Sequence, residues 1–248
     1  MAYKTIIYEQ REPHTALLVL NRPKQYNTFD QTMVQELREV LETAKEDEEL
    51  RVLVLTGREG SFSAGGDVSW LLSAQSEEER ARILEMTKEL VLTLEGFPKP
   101  ILAGVNGVAA GAGTAIALAC DMVIASEEAR FAPNFINIGA VPDAGSSWYL
   151  LRKLGYHKAM ELLLLGDVLD AEKALQLGIF NRVVPDQDLE KEILAVAARL
   201  AQGPGQAILD IKHLLKQSSW NGLREQLDLE ARYQVRAFGS EDFREGVE

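Results

Sequence analysis

The chain has 248 residues, 46% of them hydrophobic and 26% charged, and a formal net charge of -12. That size and balance describe a globular protein with a full hydrophobic core, and the acidic surplus argues against general affinity for nucleic acid or anionic membranes. The single cysteine, Cys120, excludes an internal disulfide. It lies in an apolar stretch, where a buried small hydrophobe and a reactive thiol are the two readings. The first residues carry no basic-then-apolar signal and no apolar run reaches membrane-spanning length, so the expectation is a cytoplasmic protein.

Residues 5–8 and 16–20 read as strands joined near Glu12 and Pro13. Asp30 is a candidate N-cap for a helix whose apolar positions Met33, Val34, Leu37, Val40, Leu41 and Ala44 follow the helical period. A strand at 52–56 comes next, then a glycine-containing loop, then a charged helix over 76–94 that Pro98 and Pro100 terminate. Strands follow at 101–105 and 121–125, with a further candidate at 129–132. Beyond Gly145 the pattern turns helical, over 145–154, 157–165, 171–177, 186–202, 205–217 and 222–237. Only 182–184 looks extended there. The expected organisation is an α/β core over 1–190 and a helical C-terminal region over 191–248, with no clean sequence repeat.

Two runs rich in small residues carry the chemistry: SFSAGGD at 61–67 and NGVAAGAG at 106–113. Each follows a short apolar strand, and the second leads into a helix start at Thr114, at the positive end of the helix. Small residues let a substrate approach the backbone closely. Two such loops face to face would aim two N–H donors at one oxygen and stabilise a developing oxyanion. The bland alternative is two tight turns that the fold requires.

These runs, with LNRP at 20–23 and Asn27, Cys120 with Asp121, GAVP at 139–142, AMELL at 159–163 with Gly166, and 171–184, resemble the crotonase (enoyl-CoA hydratase/isomerase) superfamily over nearly the whole chain. The resemblance implies an α/β spiral of ββα units with a helical C-terminal trimerisation region, assembling as a homotrimer or a hexamer made of two trimers. It implies an acyl-CoA substrate, with coenzyme A as part of the thioester and no other cofactor or metal. The thioester oxygen would be held by the N–H groups of Gly66 and Ala112, with Ala64 and Gly111 beside them. Lys24, in the loop with Arg22, and the backbone around Asp67 and Val68 would meet coenzyme A, although Lys24 also reads as a solvated loop charge. The sequence ends at Glu248, where many relatives continue with an amphipathic helix and a basic tail.

The hydratase pattern places two glutamates where this chain has Ala115 and Phe135. Water addition wants a base and an acid, so a conventional hydratase is disfavoured. Asp143, in IGAVPDAGS at 138–146, occupies a position similar to the carboxylate of ring-opening isomerases of phenylacetate degradation. The aromatic pair Trp148 and Tyr149, and the run QLDLEARYQ at 226–234, resemble the same branch. The expected chemistry is a proton shuttle through Asp143, whose pKa the apolar neighbours Phe135, Val141 and Trp148 would raise. From local sequence alone the N-cap of the following helix is the preferred reading of Asp143, and the family position reverses that preference. Hydration by Asp143 alone, and a weakly active acyl-CoA-binding partner subunit, are the rival readings. Asn134 and Asn137 stay unassigned. Phe135 and Trp148 are candidates for an acyl pocket accepting a ring or unsaturated chain, although aromatics at such spacing are also common in cores.

Overall fold

The computed structural model describes residues 3–248. The chain opens with an antiparallel pair, β1 (Ile6–Arg11) and β2 (Thr15–Leu20), followed by α1 (Gln31–Glu46). Asp30 caps α1 as expected, accepting from the Met33 N–H at 2.8 Å, and the six periodic apolar positions are all buried. Three ββα turns then follow one another. The first is β3 (Val52–Gly57) and β4 (Ser61–Ser63), with α2 (Val68–Ser73) and α3 (Glu77–Gly96). The second is β5 (Ile101–Val105), β6 (Val108–Ala110) and α4 (Ala112–Ala119). The third is β7 (Met122–Ser126), β8 (Arg130–Ala132) and, after a 3-10 turn at Phe135–Ile138, α5 (Ser146–Leu165). Helix α5 breaks at Gly155 (φ 71°), so it behaves as the two helices expected at 145–154 and 157–165.

Each turn sends its first strand into one sheet and its second into another. The larger sheet runs β1-β2-β3-β5-β7-β10, with β10 at Arg182–Val184; the smaller runs β4-β6-β8-β9, with β9 at Leu169–Asp170. From β2 to β10 the pairings of the larger sheet are parallel. Such a sheet is buried on both faces, which explains why its strands are continuously apolar. Leu53, Leu55, Ala103 and Val105 face the main core with α1, α3 and α4. Val52, Val54, Leu102 and Ile124 face the other way, onto Ile193, Ala197 and Ala201 of α7 (Leu189–Ala201). A six-residue helix, α6 (Ala171–Gln176), precedes β10, and three helices, α8 (Gly205–Gln217), α9 (Leu223–Phe238) and α10 (Glu241–Val247), follow α7. Cys120 is buried at the end of α4, and burial pushes its thiol pKa far up, which suits the small-hydrophobe reading. Among the described residues no helix is long and apolar enough to cross a membrane.

Candidate active site

The first loop pairs with Phe29 through an isolated parallel bridge. Phe29 donates its N–H to the Gly65 carbonyl at 2.8 Å, and Asp67 donates to the Phe29 carbonyl at 2.9 Å. Backbone groups alternate in direction along extended chain, so the N–H of Gly66, between these two, points away from Phe29. The second loop ends at Gly111 (φ 49°), whose N–H donates to the Ala132 carbonyl at 3.0 Å. Ala112 is the first residue of α4, so its N–H has no intrahelical acceptor and lies at the positive helix end. All eight residues of α4 are buried, which keeps water from screening that end.

The two loops touch backbone to backbone. A Cβ on Gly65 (φ 92°) would lie 2.8 Å from the Ala110 carbonyl oxygen and 3.1 Å from the Ala112 nitrogen. A Cβ on Gly113 would lie 2.3 Å from the Ser63 carbonyl oxygen. Only glycine permits that approach.

A cavity of about 350 Å³ opens between these loops, α3 and the segment before α5. Gly66 and Ala112 line it, with Ala64, Val68, Gly111, Phe135 and Asp143. Its polar side chains are Thr87, Asn134 and Asp143, and Asp143 is the one titratable group among its lining residues. Two successive left-handed residues, Ala144 (φ 49°) and Gly145 (φ 83°), turn the chain behind Asp143 into α5. Gly145 takes the N-cap position with no side-chain cap, so Asp143 does not cap the helix. Its backbone carbonyl instead accepts from the Ser146 N–H at 2.8 Å. The carboxylate oxygen Oδ1 is buried without a hydrogen-bond partner. Burial raises the Asp143 pKa, opposed only by its own backbone N–H. Val141 is 79% exposed and does not line the cavity, against the expectation that it would shield Asp143. Trp148 does not line this cavity; it lies beyond Asp143, in adjoining ones.

In the loop around Arg22 and Lys24 the fold itself takes up most of the groups that the resemblance offers to a ligand. The Arg22 guanidinium bonds Asp67 at 2.9 Å and Asp30 at 3.2 Å, and donates to the Thr28 carbonyl at 2.5 Å. Asp67 in turn caps α2, accepting from the Ser69 and Trp70 amides. Burial alone would raise the Asp67 carboxyl, but the Arg22 ion pair and these amides hold it below the usual carboxylate range. Its side chain and N–H are thus taken up by the fold, whereas Lys24 is exposed on a 3-10 turn at Pro23–Gln25. Asn27, fully buried, ties the same loop down by donating to the Ser61 and Arg58 carbonyls. Of the two unassigned asparagines, Asn134 lines the cavity and Asn137 closes a loop by donating to the Gly166 carbonyl at 3.2 Å. Ala115 is buried within α4 rather than on the cavity wall. Thr87 and Leu84 were not foreseen as lining residues, because α3 reads as a charged surface helix and nothing in its period marks which face meets a ligand.

A model of the family described as Enoyl-CoA hydratase/isomerase matches residues 11–248. The trans-2-decenoyl-[acyl-carrier-protein] isomerase of Streptococcus mutans is 35% identical, with 100% of this chain and 95% of that protein covered. The 1,2-epoxyphenylacetyl-CoA isomerase of Escherichia coli is 39% identical over 93% of this chain and 89% of its own. The crystal structure of an enoyl-CoA hydratase from Bacillus anthracis superposes with a TM-score of 0.94 at 28% identity, covering 98% of this chain and 95% of that one. Sequence match, spiral topology and the paired glycine loops agree: this chain belongs to the enoyl-CoA hydratase/isomerase family.

Proposed function

We propose that the protein is an enoyl-CoA isomerase that shifts a double bond, or opens a strained ring, by moving one proton through Asp143. The observation carrying this reading is that Asp143 is the single titratable side chain on a cavity wall that also holds Gly66 and Ala112. The Asp143 carboxylate takes a proton from C2 of a 3-enoyl thioester, and the electron pair moves onto the thioester oxygen. The Gly66 and Ala112 N–H groups hold that oxyanion; each preorganised donor is worth about 2.7–4 kcal/mol in the transition state. The protonated Asp143 then returns the proton to C4, and the conjugated 2-enoyl thioester forms. One group serves both steps because the base of the first becomes the acid of the second. Its raised pKa brings it nearer the operating pH in both roles.

Coenzyme A is part of the substrate in this reading, and exposed Lys24 is the candidate to meet its phosphates. Exposed apolar side chains on the last helices, Ile211, Leu215, Leu227 and Val235 among them, support a homotrimer or a pair of trimers. A cytoplasmic setting accords with the composition. A second reading, water addition with Asp143 as sole base, draws on the likeness to the B. anthracis hydratase. Purified protein given a 3-enoyl and a 2-enoyl thioester separates the two. Double-bond migration faster than hydration supports isomerase, and the reverse order overturns it. Equal turnover by wild type and Asp143→Asn, at equal coenzyme A affinity, would instead indicate a binding subunit.

A further inference from the structure

Beyond Asp143 lies a second, larger cavity of about 710 Å³, between α3 and α5. Leu84, Thr87 and Asp143 line both cavities, so the two meet at that neck. Past the neck the apolar part of the wall is Val91, Leu92, Trp148 and Trp220, and Glu85, Lys88 and Glu95 line the cavity as well. Trp220 comes from the turn between α8 and α9. Its ring stacks on Trp148 at 6.3 Å, with the Arg152 guanidinium 3.8 Å over the Trp148 ring. At another point on the wall, Tyr149 donates its hydroxyl to Glu95 at 3.1 Å, and Lys216 stands 3.4 Å from the same carboxylate.

Resting on the thioester reading of the Asp143 cavity, we infer that this second cavity holds the acyl tail and selects an apolar tail reaching well past C4, either a medium-length alkyl chain or an aryl ring. Continuity with the reacting centre fixes the occupant: a thioester held at Gly66 and Ala112 directs its distal carbons past Asp143 through the neck. The aromatic pair supplies flat apolar walls suited to rings and chains alike. Charge adds discrimination: Glu85, Lys88 and Glu95 also line this wall, and the cations Lys88 and Lys216 are already held by Glu85 at 2.6 Å and Glu95 at 3.4 Å, so a tail ending in a second carboxylate would lose its water with no free cation among the described lining residues to meet. Trp220 makes the C-terminal helices part of the specificity pocket, a role distinct from any in assembly.

Isothermal titration with saturated thioesters (butyryl-, hexanoyl-, decanoyl-, phenylacetyl- and adipyl-CoA) tests this without depending on which reaction is catalysed. The wild type should bind more tightly by up to about fourfold per methylene from butyryl to decanoyl, and should bind adipyl-CoA at least about tenfold more weakly than hexanoyl-CoA. Trp220→Ala, which removes a wall, and Leu92→Trp, which fills the cavity from an exposed position, should each weaken decanoyl-CoA about tenfold while butyryl-CoA stays within about twofold. Affinity independent of tail length in the wild type overturns the inference and leaves the cavity to be covered by protein. So do variants that weaken all thioesters equally. Failure of the thioester reading itself would look different: no acyl-CoA, butyryl included, would bind.

Discussion

Replacing Asp143 by Asn should abolish turnover and stabilise the fold in the same stroke. The side chain is nearly isosteric, so the cavity shape survives, but the amide cannot take a proton. Loss of a positioned general base lowers the rate by about 10²–10⁴-fold. The stability change follows from the unpartnered Oδ1. A buried polar group without a partner costs about 1–3 kcal/mol, more when charged. Asp143 keeps some solvent access, so about 1 kcal/mol at neutral pH is the expected gain, or roughly 2–4 °C in Tm for a chain of this size. Its folded pKa is raised, so the wild type keeps this stability below the unfolded carboxylate pKa and loses it as pH rises through the folded value. The gap between variant and wild type should therefore open with rising pH and close near pH 4. The assays are thermal melts at several pH values and turnover of a 3-enoyl thioester. A variant that melts below wild type at neutral pH, or keeps more than a tenth of its activity, refutes the reasoning.

Three further substitutions probe the scaffold. Gly113→Ala places a Cβ 2.3 Å from the Ser63 carbonyl oxygen, so it should cost about 1–3 kcal/mol in urea unfolding and lower kcat by spreading the two donor loops. Arg22→Gln removes the cation between Asp67 and Asp30 and should cost about 3 kcal/mol at neutral pH. Because the Asp67 pKa is depressed, that contribution is present above the unfolded carboxylate pKa and is lost as pH falls through the folded one, so the two proteins should converge in acid. Ala144→Gly relieves a left-handed residue that strains any side chain. It should raise stability by about 0.5–1 kcal/mol, read from denaturant midpoints.

What could be read from the chain depended on whether the signal was local. Helix α1 was legible because Asp30 and its six apolar positions lie within one short window. The three-residue strands β4 and β6 are too short to show alternation, and β8 surfaced only as the candidate at 129–132. They form because each pairs with its counterpart one spiral turn away, and for that reason a structural repeat stayed hidden in a sequence without one. Helix α2 was missed because its capping residue, Asp67, becomes intelligible only beside Arg22, 45 residues away. Helix α10 was missed as well, although Ser240 caps it through Phe243. Gly66, Ala112 and Asp143 entered by resemblance to a family, not by periodicity; the structure brings all three to one wall. The local reading of Asp143 as a helix cap failed because Gly145, in left-handed conformation, starts α5 two residues later.

The stacking of one spiral turn on the next separates two kinds of invention. Main-chain amides at the junction of neighbouring turns are held by glycine-to-carbonyl contact, so they resist change whatever the side chains do. Asp143, the proposed acid and base, hangs from a different turn, on a short segment between the Phe135–Ile138 turn and α5 that no sheet constrains. On the proposed mechanism, a scaffold divided this way could exchange one proton carrier for another without disturbing its grip on the oxygen, and could take up new chemistry by moving a single carboxylate.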